Sequence, residues 1–310
     1  MSSFKNRVQM AGKIEALEGT AEALTAAEAF LAFNPGWDPT IGRYQAEPCK
    51  ATGGQIESQA GERSSKISFT AHLTPSGTPG TPPWWGKYVK ACGAQEIITL
   101  NTSVEYKPAT LNAPSMTLGR YTGTRIKHVW GCRGDLKIAL DKGKPPLGTF
   151  TFTGKDFSVI DGGFLAGVDY SAMLVQPSLF LGAAFLFDAY QAIISKLEFA
   201  LGNNIVLPDD AGQASGFRPT LISNRKPTIS FDPEAVAVAT KDFYGKWRGS
   251  SGAAMSCTLG STPGHIIAFS ASKAQVEDLK SGDRKEILID QITCSLKETN
   301  GDDDWSILLT

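Results

Sequence analysis

What this chain lacks narrows its function before anything it contains. It has three histidines, His72, His128 and His265, each alone in a β-patterned run, where a histidine is ordinarily a surface or cross-strand residue. No HExxH, GxSxG or DxDxDG pattern occurs, so zinc proteolysis, nucleophile-elbow hydrolysis and EF-hand calcium binding have no anchor. The five cysteines, Cys49, Cys92, Cys132, Cys257 and Cys294, stand far apart with no CxxC pair. That removes zinc ribbons and disulfide frameworks and predicts free thiols in a reducing compartment. Charge of one sign is also missing: the formal net charge is -1 over 310 residues. The basic residues are scattered and do not alternate with aromatics, so no nucleic-acid-reading face is predicted. The most apolar run, "SLFLGAAFLFDAYQAIISKLEFALG" from Ser178, is broken by Asp188 and Lys196 and is too interrupted to span a bilayer. The opening "MSSFKNRVQMAGKIEALEG" has no apolar signal core, which predicts cytosol-like surroundings. No carboxylate pair stands out as acid and base. The expectation is a protein that is not an enzyme, with no cofactor and no metal.

What is present is a β pattern. From about residue 43, short runs of β-branched and aromatic residues alternate with Gly, Pro and Asn punctuation, the signature of an antiparallel architecture. Ile67–Leu73, Ser115–Tyr121, Arg125–Leu140 and Leu147–Gly154 read as strands. Strands resume at Leu179 and Ile193, then at Thr228, Ala254, His265, Lys285 and Trp305. Residues 1–42 read as an arm with one helical patch, "AEALTAAEAFLAF", and 155–178 as connecting chain. Gly282-Asp283-Arg284 reads as a turn. Asp302-Asp303-Asp304 reads as a solvated hairpin turn flanking the last strand.

Two segments read as helices of one construction. In "GTPGTPPWWGKYVKACG" (residues 77–93), Thr81 caps, Pro82 opens the first turn, Trp85, Tyr88, Val89 and Cys92 form one face, and Gly93 ends it. Lys87 falls on the solvated side. The near-miss to a phosphate loop fails: five residues separate Gly80 from Gly86, Tyr88 follows Lys87, and Pro82 and Pro83 lack N–H donors. In "FDPEAVAVATKDFYGKWRG", Asp232 caps, Pro233 opens, Val236, Ala239, Phe243 and Trp247 form the stripe, and Gly249 closes. The tripeptide Ile-Ser-Phe precedes each helix, at Ile67-Ser68-Phe69 and Ile229-Ser230-Phe231. This order predicts a mainly β chain built by tandem duplication of one antiparallel β-domain with a single helix. Its parts are an N-terminal arm (1–42), a first β-domain (43–160), a connector (161–178) and a second β-domain (179–310).

The chain also resembles the duplicated family of major tail tube proteins of long-tailed bacteriophages, from Lys13 to Thr310. The likeness rests on "KIEALEGT", "GTPPWWGKYVKACGAQE" and "GDLKIALDKGKPPLGTFTFTG" in the first half. In the second it rests on "LEFALGNNIV", "RKPTISFDPEAVAVATKDFYGKWR", "KAQVEDLKSGDRKEILIDQI" and "DDDWSILLT". The resemblance implies β-sandwich or barrel domains, each flanked by one α-helix, and a structural virion protein whose rings stack into a hollow conduit for DNA. Implied partners are further copies of itself, the tape measure protein, and the tail terminator and tail tip proteins. Double-stranded DNA would pass without specific binding, along a lumen of acidic and neutral polar residues, because Lys and Arg would hold the phosphates. Assembly would take place in the host cytoplasm. The duplication suggests three chains per pseudo-hexameric ring. Ring-to-ring contacts are expected from the arm, the loop Leu73–Pro83 and the connector. Two alternatives stand beside this reading: the tube of a phage-like or type VI injection particle, and a virion-surface β-sandwich binding module.

Overall fold

The computed structural model describes residues 7–310; residues 1–6 of the expected arm lie outside the described residues. In the first half the strands are β1 (Gln9–Ile14), β2 (Ala29–Phe30), β3 (Phe33–Tyr44) and β4 (Gln59–His72). Helix α1 (Gly86–Ala91) follows, then β5 (Ala94–Thr99), β6 (Ser103–Pro108), β7 (Met116–Tyr121), β8 (Arg125–Asp141), β9 (Leu147–Gly154) and β10 (Asp156–Asp161). The second half holds β11 (Ala184–Phe187), β12 (Tyr190–Gln191), β13 (Lys196–Ala200), β14 (Asn203–Val206), β15 (Leu221–Arg225) and β16 (Thr228–Phe231). Helix α2 (Phe243–Arg248) precedes β17 (Ala253–Leu259), β18 (Ile267–Arg284), β19 (Ile287–Leu296) and β20 (Ser306–Leu309).

The chain is mainly β and its strand pairings are antiparallel. Among the described residues eighteen strands join one hydrogen-bonded network, and β14–β15 is a separate ribbon. In the first half the neighbours run β1–β7–β8–β9–β4–β3, with β10 beside the start of β8. In the second they run β11–β17–β18–β19–β16–β13, with β20 beside the start of β18. The two orders match strand for strand. The halves are stitched twice, by β13 on the end of β8 and by β20 on β6.

The alternation of side chains builds the core. Ile67, Phe69 and Ala71 of β4 face inward, as do Phe150 and Phe152 of β9, and Phe69 stacks on Phe150 with ring centres 5.1 Å apart. Phe185, Phe187 and Phe231 cluster in the second half, and both halves share one continuous core. Burying an aromatic side chain of this size contributes roughly 1.5–3 kcal/mol.

The bend of β8 has a local cause. Gly131 sits at φ +63°, where the register against β7 shifts, and a Cβ there would meet Lys155 at 2.8 Å. The buried Glu15 carboxylate holds that bend, accepting from the N–H of Gly131 at 2.7 Å, the N–H of Gly19, and the hydroxyls of Ser115 and Thr117. With four donors, its burial is compensated.

Several expectations change. The helix read over 21–33 reduces to one 3-10 turn, Ala26–Glu28, because the next residues pair as β2 with β1 and bury Phe30. The arm supplies three sheet strands, β1, β2 and nearly all of β3. Gly282-Asp283-Arg284 belongs to β18, and the turn falls at Lys285-Glu286, both at positive φ, the geometry that matches hairpin twist.

Candidate assembly surfaces

The double tryptophan stretch is organised by a residue outside it. The indoles of Trp84 and Trp85 donate to the Thr74 hydroxyl and carbonyl at 2.9 and 2.8 Å. Trp85, Tyr88, Val89 and Cys92 are buried, and Tyr88 packs against Phe30, Phe69, Phe150 and Phe152. Gly93, at φ +86°, takes the left-handed position after Cys92. The start differs from expectation: Trp85 is the N-cap, with no side-chain cap bond, so Thr81 is not the cap and Pro82 precedes the helix. A turn closing Gly86 N–H onto the Pro83 carbonyl lies between them. Lys87 is half-buried, its ammonium 5.3 Å from the Tyr88 ring centre, and burial pulls its pKa down. The loop Leu73–Pro83 is partly tied down: Leu73 and Thr74 are buried, and the Gly77 N–H bonds the Gly264 carbonyl.

The second helix departs further. Asp232 and Pro233 lie ten residues before its first turn and do not start it; the N-cap is Asp242, whose carboxylate accepts from Gly245 N–H at 2.6 Å. Asp232 is a buried anchor instead. It accepts from the N–H groups of Ser195 and Lys196, the Ser195 hydroxyl and the Arg284 guanidinium. Burial pushes its carboxyl up, but these bonds outweigh burial and hold it below the usual range. Val236 and Ala239 are exposed on non-helical chain, Phe243 is buried, and Trp247 is 37% exposed with its indole on the Glu277 carbonyl. Gly249 is the C-cap in right-handed conformation, and Ser250 takes the left-handed turn at φ +48°.

The aspartate run is not simply solvated. Arg225 of β15 bonds Asp302 and the buried Asp304 at 2.8 and 3.0 Å, while Asp303 accepts from the N–H groups of Thr299 and Asn300. Sequence spacing could not pair Arg225 with residues nearly eighty positions on. Arg133 is likewise occupied, by Glu18 and by the carbonyls of Ala113 and Thr220. Both arginines line an open groove of about 900 Å³ between the ribbon β14–β15 and the C-terminal turn, so its strongest cations are already engaged. Among the described residues no cluster of His, Cys, Asp and Glu is placed to hold a metal. Burial raises the thiols of Cys92 and Cys132 and pushes those of Cys257 and Cys294 up to about 12, which makes all four poor nucleophiles. Among the described residues no helix is long and apolar enough to cross a membrane.

What the molecule presents outward is strand edge and apolar tip. Among the described residues β3 pairs on one side only, with β4, and it carries exposed Phe33, Ile41 and Tyr44. The end of β18, among the described residues, pairs only with β19. Exposed apolar residues cluster at the β5–β6 turn (Ile97, Ile98, Leu100) and on β19 next to its hairpin turn (Ile287, Leu288). Open edges and apolar tips of this kind are liabilities in a monomer and joints in a polymer.

A family model described as phage tail tube protein matches residues 5–293, nearly the whole chain. No curated protein matches the chain.

Proposed function

Because the chain belongs to the phage tail tube protein family, a structural part of the virion tail, we propose that its copies close into rings that stack into a hollow tube for DNA ejection. The family match over residues 5–293 carries this reading. The one-sided pairing of β3 and of the end of β18 supports it, since edges left open in one chain can be satisfied by another. Residues 43–160 and 179–310 are proposed as two copies of one tube domain, so that three chains make a pseudo-hexameric ring. The matched neighbour orders of the two halves support the duplication, but they draw β1 and β3 into the first copy, which would then begin near Gln9. The tube would end on tail terminator and tail tip proteins, surround the tape measure protein, and assemble in the host cytoplasm.

Electron microscopy of the purified protein tests the reading. Hollow filaments or stacked rings are expected, with true threefold symmetry and a bore free of strongly positive potential. Monomers that stay dispersed at every concentration would overturn the tube, and six chains per ring would overturn the trimer.

A further inference from the structure

The correspondence between the halves extends to register. Ile67 and Phe69 of β4 face Phe152 and Phe150 of β9, as Ile229 and Phe231 of β16 face Cys294 and Ile292 of β19. Across the next pairing, Phe150 faces Leu136 and Ile292 faces Leu279. This places Asp135-Leu136-Lys137 on Asp278-Leu279-Lys280, an identical tripeptide reached through backbone pairing alone. The register shift between Met116 and Leu118 against β8 recurs between Ala253 and Met255 against β18. An edge-on aromatic pair recurs too: Trp37 on Phe157 and Phe199 on Trp305, each with ring centres 5.7 Å apart. Trp37 faces Ile67 as Phe199 faces Ile229.

One pairing breaks the correspondence. Within the chain, β13 of the second half lies on the end of β8, with Glu198, Phe199 and Ala200 opposite Ala139, Ile138 and Lys137. Its counterpart would be β3 lying on the end of β18, and among the described residues of the single chain that pairing is missing: both strands are one-sided there. Resting on the tube reading above, we infer that β3 of one chain adds to β18 of the next, repeating between chains the β13–β8 pairing made within each chain. Transferring the register puts Gly36 opposite Gly282, Trp37 opposite Ser281 and Asp38 opposite Lys280. Opposite charges then face each other in the last pair, and both side chains are exposed in the single chain. Opposed charges across antiparallel strands favour the pairing. Ser281 and Asp283, where β8 has buried Ile138 and Leu140, also make this edge polar while it is unpaired. Because a first half always meets a second half, the contact is head-to-tail and closes into a ring when the rotation permits.

Paired cysteines test the register in a Cys49→Ser background, which removes the one exposed native thiol. By the hydrogen bonds Leu201 N–H to Leu136 O and Lys142 N–H to Ser195 O, the Ala200–Lys137 site is a non-hydrogen-bonded pair, where side chains approach most closely. Asp38→Cys with Lys280→Cys should therefore form disulfides between chains in assembled particles, laddering to closed covalent rings. Mixing the two single variants should stop at linked pairs. Asp38→Cys with Gln275→Cys, offset by roughly 16 Å of strand, should stay unlinked. Wild-type tubes together with no 38–280 link, or with equal linking of the offset pair, overturn the inference and leave the tube standing. Linking in concentrated solution without tubes would keep the strand pairing and overturn the tube. As a second readout, Asp38→Lys should lose assembly and Lys280→Asp in the same chain should restore it; no restoration counts against the register.

Discussion

Helices α1 and α2 are each six residues long and follow the same Ile-Ser-Phe strand, yet they are held in different ways. In α1, Gly86, Tyr88, Val89 and Ala91 are buried; in α2, only Phe243 is. At this length neither is stable by itself, since isolated helices shorter than about 12–15 residues are marginal. α1 is held by core packing and dispenses with a side-chain cap. α2 lies against β18 with Tyr244 and Trp247 half in solvent, and it needs its Asp242 cap. The comparison teaches that a helix of the same length after the same strand serves as core in the first half and as surface in the second, beside the β18 edge that a neighbouring chain is inferred to cover.

The largest expected effect breaks that comparison if it is false. Trp85→Ala should cost about 3–5 kcal/mol of unfolding free energy, as removal of a fully buried aromatic does, and lower the urea midpoint sharply. Trp247→Ala removes a partly exposed ring and one indole hydrogen bond, and should cost about 1 kcal/mol in the unassembled chain. Similar midpoints for the two variants would mean that both helices are core elements.

Next in size is Asp232, where the carboxylate that resembled a cap anchors chain ends in the second half. Asp232→Asn keeps the shape but loses the charge-assisted bonds to Ser195, Lys196 and Arg284, at a cost of about 2–3 kcal/mol. The sign of the pH effect follows from the lowered carboxyl. A group with its folded pKa below the unfolded value of about 3.9 contributes fully above that pH and loses its contribution as pH falls through the folded value. Acid unfolding of the wild type below about pH 4 should thus be steeper than that of Asp232→Asn. Parallel profiles would show that the anchor carries no charge linkage.

Much of this fold was legible from alternation. The end of β4 (Ile67, Phe69, Ala71), the end of β8 (Leu136, Ile138, Leu140) and the middle of β9 (Phe150, Phe152) bury every second side chain, and Ile-Ser-Phe marks corresponding strands of the two halves. The strand β3 was not legible, because Pro35, Gly36, Pro39 and Gly42 read as loop; one-sided pairing is what tolerates such residues. β1 was hidden for another reason, since its short "QMAGKI" finds its full-length partner in β7, a hundred residues later. The assembly surfaces were least legible of all. An open edge is a property of what does not pair, and no local pattern in one sequence records it.

The smallest effects separate the two kinds of helix start. A capping residue before a Pro is a common sequence cue for an N-terminus, and both Asp232-Pro233 and Thr81-Pro82 present that cue. Proline fits a first turn, but it does not compel one. Here the chain after Pro82 first makes the turn that seats Trp85, and the chain after Pro233 first bridges to β19 through Glu234 and Ile289. Asp242→Ala removes a cap bond of 2.6 Å and should cost about 1 kcal/mol. Thr81→Ala should change stability by less than about 0.5 kcal/mol, the usual range for an exposed site with no cap role. Thermal melts of the two variants side by side decide the point. A larger loss for Thr81→Ala than for Asp242→Ala would return the cap of α1 to Thr81 and reverse the contrast between the helices.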